Sequence, residues 1–254
     1  MRAIAISLVA ATLLAGALIL EVPATLVDAR LAAATDNRLR LADARGSLWR
    51  GTGTLRIDGA SGGQIVSWQL DPWPLLRGTL AVALGADPAQ APTATLRVTP
   101  SRLEIRRLDF IALPAAAALH PLAPGVPPVG GMLLVHVPSL DAEASAAAGQ
   151  IRLTWRDAML PAATAAAPLS LGTVTAELTA RGNAWTGSVT NAGGEIAISG
   201  PLGWRPGTVD GDLVLAPRPG LAAERQEAVA AALATIGRPD GRGGYRVRLP
   251  GPAT

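Results

Sequence analysis

Between Leu39 and Leu249 the apolar side chains keep returning at every second position, and this period of two limits the fold more than any other feature of the chain. Leu103 and Ile105 alternate with Arg102, Glu104 and Arg106, and Ile151, Leu153 and Trp155 alternate with Arg152 and Thr154. Val174, Ala176 and Leu178 stand against Thr173, Thr175, Glu177 and Thr179, and Tyr245, Val247 and Leu249 against Arg246 and Arg248. Alternate side chains of a strand point to opposite faces, so each segment reads as a strand with one buried face. Turn signals such as Arg181-Gly182-Asn183 and Asn191 to Gly194 recur roughly every ten residues, and Ala184 to Thr190, Glu195 to Ser199 and Thr208 to Leu215 continue the meander between them. The pattern predicts a mainly β fold over 39–254, a curved antiparallel sheet or a sandwich-like domain. It excludes βαβ architecture, for which the intervening helices are missing.

Two segments leave the period. Thr25 to Leu31 continues as a short helix that Thr35-Asp36-Asn37 breaks. In Leu221 to Ile236, residues Ala222, Val229, Leu233 and Ile236 share a helical face, Glu224 and Glu227 suit the early turns, and Gly237 ends the segment before Pro239. One amphipathic helix capping the sheet is expected there. The Pro-rich stretch from His120 to Pro128 divides the β region, suggesting two sub-units that meet near 120–130. Gly63 to Trp68 and Gly149 to Trp155, each a Gly-led strand ending in Trp, are a weak sign of repetition.

Ahead of the β region, Ile4 to Leu20 contains no charged side chain, with Arg2 before it and Glu21 and Pro23 after it. At about 1.5 Å per residue this run nearly crosses a hydrocarbon core of roughly 30 Å. A cleaved signal peptide, with Val22-Pro23-Ala24 as its cleavage site, is the competing reading. The anchor is preferred because the apolar region of a signal usually spans only about 7–15 residues. The expected organisation is a transmembrane anchor over 1–22 with a cytoplasmic N-terminus, a juxtamembrane segment over 23–38 and a periplasmic domain over 39–254, placed by the positive-inside tendency of Arg2.

The chain has no cysteine, which excludes a disulfide framework, a thiolate nucleophile and any Cys-ligated metal. All 22 basic residues are Arg, interleaved with acids to a net charge of +3. No basic block follows a phosphate backbone, and beside the tryptophans only Phe110 and Tyr245 are aromatic, so nucleic-acid binding is not expected. His120 and His136 each lack a second ligand at metal spacing. Asp210 and Asp212 share a strand face but lack the further oxygen donors of a calcium loop. The loop Gly241-Arg242-Gly243-Gly244 has no P-loop Lys and follows a helix instead of preceding one, so it reads as a turn. No G-x-S-x-G nucleophile elbow occurs. The chain reads as non-enzymatic, with no catalytic, cofactor or metal site.

One ordered set of short motifs stands out. Arg45-Gly46-Ser47-Leu48-Trp49-Arg50-Gly51-Thr52-Gly53 precedes Ile65-Val66-Ser67-Trp68-Gln69-Leu70-Asp71-Pro72 and then Leu75-Leu76-Arg77-Gly78. Gly130-Gly131, Gly149 to Trp155 with Arg156-Asp157-Ala158, Leu171-Gly172, and Ile236-Gly237 with Gly244-Tyr245-Arg246-Val247 follow in order. In content and order the set resembles protein N of the bacterial type II secretion pathway. The resemblance implies an inner-membrane accessory that acts by structural or protein-protein interaction. Its partners would be the inner-membrane platform, the periplasmic connector or the secretin. In layout the family is also similar to AsmA-type periplasmic lipid-handling proteins. Met132 to Val137, apolar on both faces, fits either a sandwich core or a lipid groove.

Physically, the motif reads as architecture. Leu48 and Trp49 are expected to bury at the start of the sheet, where Gly46, Gly51 and Gly53 permit a turn or bulge. Trp68 and Trp155 read as core. Trp73, between Pro72 and Pro74, cannot occupy a central strand and is expected at a rim or near a membrane surface. Gly78 closes a short Leu-Leu-x-Gly turn, Gly172 leads a strand and Gly237 supplies a helix stop.

Overall fold

A computed structural model describes residues 23–57, 63–115, 130–160, 168–205 and 208–249. The expected anchor over 1–22 lies outside them, as do His120 and the Pro-rich stretch. Among the described residues no helix is long and apolar enough to cross a membrane. The chain divides into two compact units, residues 1–100 and 101–254.

The first unit is a meander of five antiparallel strands in chain order: β1 (Leu39–Gly46), β2 (Arg50–Ile57), β3 (Gln64–Asp71), β4 (Leu80–Gly85) and β5 (Ala94–Val98). Helix α1 (Thr25–Ala34) covers part of one face and ends where Asp36 and Asn37 take positive φ values of 50° and 61°. Ala24, just before it, and its Val27 and Leu31 pack in one cluster with Leu41 of β1, Trp68 of β3, and Val82 and Leu84 of β4. The short helix α2 (Pro72–Leu75) joins β3 to β4.

The second unit continues the same logic with longer strands: β6 (Arg102–Pro114), β7 (Gly130–Glu143), β8 (Ala147–Leu160), β9 (Leu169–Gly182), β10 (Ala184–Ala192), β11 (Ile196–Arg205) and β12 (Thr208–Pro217), each antiparallel to the next. Helix α3 (Ala223–Ile236) then crosses back, and β14 (Tyr245–Leu249) pairs with β12 while β13 (Arg238–Pro239) pairs outside it. β6 and β7, which flank the Pro-rich stretch, pair with each other inside this unit.

Each unit carries a single open meander, so the sandwich-like alternative is not what forms. A short helix, in place of a second sheet, covers the buried face. In the second unit Val229, Ala232 and Leu233 of α3 pack on Ala158, Leu169, Leu171, Ile196 and Leu215. Two of the residues assigned to that helical face fall elsewhere. Ala222 precedes the helix in an extended conformation, and Ile236, at the last helical position, is 53% exposed. Gly237 ends the helix in extended geometry, where a Cβ would lie 3.1 Å from Arg246 O and Tyr245 Cβ. It serves close approach to β14, with no need for a left-handed cap.

Candidate functional site

The motif residues of the first unit converge on the β1–β2 turn. The ladder closes with Gly46 opposite Gly51, and Gly46 takes φ +92°, which a Cβ would strain while meeting Arg50 O at 2.5 Å. Ser47 N donates to Arg50 O at 2.8 Å, and Leu70 N donates to Trp49 O at 2.7 Å. The Trp68 indole lies beneath this turn, and its Nε1–H is shared between Ser47 O at 3.3 Å and Leu48 O at 3.1 Å.

Glycine at position 51 creates the room for that indole. A Cβ there would sit 2.3 Å from Trp68 Cζ2 and 2.6 Å from Arg45 O. At Gly53 a Cβ would lie 2.8 Å from Leu41 Cγ. The Gly-Thr-Gly run thus lets two large side chains from neighbouring strands cross over a bare backbone. Trp68 holds the core position, 6% exposed, whereas Leu48 and Trp49 are half-buried, because they lie in the turn beyond the last ladder pair.

The same turn receives the chain as it arrives from the N-terminal segment. Pro23 forms a β-bridge with Ser47, and Ala24 N donates to Gly46 O at 3.2 Å. A second fastening secures α1 to β1. Asp28 accepts from Arg40 Nε at 3.0 Å and Nη2 at 2.7 Å, and from the Leu41 amide at 2.7 Å. The Arg40 guanidinium, then the Leu41 amide, hold the Asp28 carboxyl below its ordinary pKa. Thr35 Oγ1 donates to Leu31 O and accepts from Leu39 N, closing the exit from the helix. Together these contacts form a clasp between the entering chain, the motif turn and Trp68.

At the same end of the unit, Pro72 opens α2 and Asp71 caps it, accepting from Trp73 N at 3.1 Å. Gly78 takes φ +71° with nothing near its missing Cβ, so the turn needs glycine for conformation alone. Trp73 and Leu76 are 73% and 80% exposed.

Trp155, in the second unit, is partly buried against the α3-covered core and donates Nε1–H to Gly130 O at 2.7 Å. Gly131, φ +89°, faces a bulge in β8 where a Cβ would meet Arg156 O at 2.3 Å. Gly172, φ +68°, is pressed against the β10–β11 turn, where a Cβ would meet Ala192 O at 2.3 Å.

That turn carries a polar cluster not anticipated from the sequence. Asn191 donates to Leu171 O at 2.6 Å and Ile196 O at 2.7 Å, and its Oδ1 accepts from Ile198 N at 2.7 Å and Arg218 Nη2 at 3.1 Å. Glu195 accepts from Arg225 Nε at 2.5 Å and Nη2 at 2.7 Å, and from Ser170 N at 3.0 Å. Arg225 also donates to Pro168 O at 2.8 Å. The bond from Arg225 dominates in lowering the Glu195 pKa, against an opposing effect of burial. This cluster locks α3 to the sheet end. Only the turn composition around Asn191 was visible locally; its partners lie on other strands.

The remaining candidates are absorbed by strand neighbours. His136 is half-buried on β7 opposite Arg152. The Asp210 carboxylate lies where a Cβ of Gly203 would be, and Asp212 is 3.4 Å from Arg246 Nε. Asp240 Oδ1 accepts from Arg242 N and Gly244 N, so the Gly-rich loop folds around a carboxylate of its own. Among the described residues no group of three His, Cys, Asp or Glu could hold a metal.

The family model for type II secretion system (T2SS) protein N matches residues 37–248, most of the 254-residue chain. The chain belongs to the type II secretion system protein N family. No curated protein and no solved structure gives a significant match to it. Membership implies an accessory role in type II secretion and interaction with other components of that machinery. The match begins just before β1 and ends in β14, so it takes in every motif glycine and tryptophan described above, while Pro23 and α1 precede it.

Proposed function

We infer that this protein N family member is an inner-membrane-anchored periplasmic component of the type II machinery. It acts by structural and protein-protein interaction while folded proteins are exported across the outer membrane, and it performs no catalysis. The observation carrying this reading is the family match over 37–248. The clasp supports it: the chain leaving the uncharged run Ile4 to Leu20 is fastened within three residues of Glu21 to the motif turn. A sheet tied so closely to its point of entry is held near the membrane surface, where an inner-membrane platform, a connector or the base of a secretin assembly is within reach. Open meander edges and exposed apolar side chains offer the contact surfaces.

Deletion of the gene tests the reading. Secreted enzymes should accumulate in the periplasm and be depleted from the medium, and expression of the full chain should restore them. Unchanged secretion, with every other machine component at its normal level, would overturn it.

A further inference from the structure

We propose that the turn joining β3 to β4, Pro72-Trp73-Pro74-Leu75-Leu76-Arg77, is a wedge that inserts into the interface of an anionic lipid bilayer beside the anchor. The proposal rests on the reading of Ile4 to Leu20 as a membrane segment. Three large apolar side chains are presented outward within four residues: Trp73 at 73%, Leu75 at 39% and Leu76 at 80% exposure. None of them belongs to the buried core of the first unit, which is built from Ala24, Leu41 and Trp68 and their neighbours. Their outward display is fixed by the backbone. Asp71 caps the turn, Leu76 N and Arg77 N donate to Trp73 O and Pro74 O, Thr79 N also donates to Pro74 O, and Gly78 at φ +71° reverses the chain.

What faces this turn follows from register. Gly51 pairs with Trp68 and Arg50 with Gln69, so Asp71 and α2 lie at the same end as the β1–β2 turn that Pro23 bridges. The uncharged run ends at Leu20, three residues before Pro23. A bilayer holding that run therefore lies at the end of the unit where Trp73 and Leu76 project. Trp is suited to this depth, its ring amphipathic at the headgroup level, and leucines beside it reach the acyl boundary. The charges agree. Arg45, Arg50 and Arg77 are exposed around the turn against two exposed acids, Asp43 and Asp71, which leaves a local surplus of one positive charge. Exposed guanidinium groups beside an apolar wedge match anionic headgroups.

The absence of cysteine allows a clean test. The full chain carrying Leu76→Cys, labelled with an environment-sensitive fluorophore, is reconstituted into phosphatidylethanolamine–phosphatidylglycerol vesicles doped with nitroxide lipid. Ala89→Cys, in the loop at the other end of β4, serves as the comparison. The label at 76 should shift to the blue and lose about half its emission or more to the lipid quencher, with little change at 89. Adding Trp73→Ala and Leu75→Ala should restore the emission at 76. Both replaced side chains are exposed, and the spectrum of the label at 89 reports that the fold is intact. Equal, weak quenching at both positions would overturn the wedge. So would a blue shift at 76 that appears only in native membranes containing the other secretion components, because the occupant would then be a protein. Carbonate extraction of the same sample reports the anchor separately, so a chain that extracts yet is quenched at 76 refutes the anchor and keeps the wedge.

Discussion

Replacing Gly51 by Ala adds a single methyl group, and its cost can be worked out from the clasp. The new Cβ would lie 2.3 Å from Trp68 Cζ2 and 2.6 Å from Arg45 O, where ordinary contact begins near 3.4 Å. The indole cannot swing away freely: it is 6% exposed, packed among Ala24 and Leu41, and its Nε1–H is tied to Ser47 O and Leu48 O. Either Trp68 moves by more than 1 Å and surrenders part of its burial, or β2 separates from β1. Overpacking of this kind costs about 2–3 kcal/mol, and losing the whole indole, as in Trp68→Ala, costs about 3–5 kcal/mol. In the Trp68→Ala background the first clash is gone and only the Arg45 carbonyl remains, so Gly51→Ala should then cost about 1 kcal/mol. The double-mutant cycle should therefore show a coupling of about 1–2 kcal/mol. Urea unfolding of the purified chain gives the energies, and hydrogen exchange of peptides covering β1 to β3 shows whether the loss is local. Additivity within about 0.5 kcal/mol, or full exchange protection in Gly51→Ala, would refute the claim that this glycine exists to admit Trp68.

Asn191→Asp should be more damaging than Asn191→Ala at neutral pH, since a carboxylate oxygen would face Leu171 O and Ile196 O at about the 2.6–2.7 Å now spanned by amide donors; we expect a loss of about 2–4 kcal/mol, easing under acid, read by urea midpoints across pH. The Glu195 carboxyl has its pKa depressed in the fold, so its contribution is complete above the unfolded carboxylate value of about 4.3 and fades as pH falls through the folded value. Glu195→Gln should cost about 1–2 kcal/mol at pH 7, and the difference from the parent should vanish in acid below the folded pKa. Trp155→Phe keeps the ring and removes the donor to Gly130 O, for a loss of about 1 kcal/mol measurable as a small shift in urea midpoint.

Strands were legible from their period, most plainly in β8 and β14, where Ile151, Leu153, Tyr245, Val247 and Leu249 are half-buried and Arg152, Arg246 and Arg248 are exposed; in β6 and β9 both faces are partly covered. Leu103 and Ile105 in β6, Val174 to Leu178 in β9 and Tyr245 to Leu249 in β14 all fall within paired strands. Helix α3 was legible from its own period, although that period could not show that Ile236, at the last helical position, is left exposed. Whether a second sheet or a helix covers the buried face is not encoded in a strand's own alternation, which is why the sandwich-like option stood beside the curved sheet. Trp49 and Trp68 looked equivalent in composition; only the ladder register, closing at Gly46 and Gly51, leaves one in a turn and the other beneath it. Asn191 was readable as a turn residue. Its bond to Leu171 O, twenty residues away, was not, because it depends on how the far end of β9 pairs with β10.

The two units share a further local likeness, at a bulge in β1 and a bulge in β8. In β1, Asp43 takes φ +54° and, with Ala44, bulges opposite Gly53; in β8, Asp157 takes φ +51° and, with Ala158, bulges opposite Gly131. Asp tolerates the left-handed region better than most residues, and a bulge twists the strand locally. Each bulge places a small Ala at a helix-covered core: Ala44 packs against the Ala24, Leu41 and Trp68 cluster that Val27 and Leu31 of α1 also cover, and Ala158 is fully buried in one cluster with Val229 and Leu233 of α3. Each also has a tryptophan whose N–H is spent on a backbone carbonyl at a motif turn or strand start, Trp68 on Ser47 and Leu48 and Trp155 on Gly130. The shared problem is how to seat a short helix on a meander that has no second sheet. A methyl-sized residue at a twist, a glycine opposite it and an indole pinned at one end solve it in both units. In this chain Gly53, Gly131, Trp68 and Trp155 therefore lie where the helices dock, and the contact surfaces for other secretion components are to be sought on the residues those docks leave exposed.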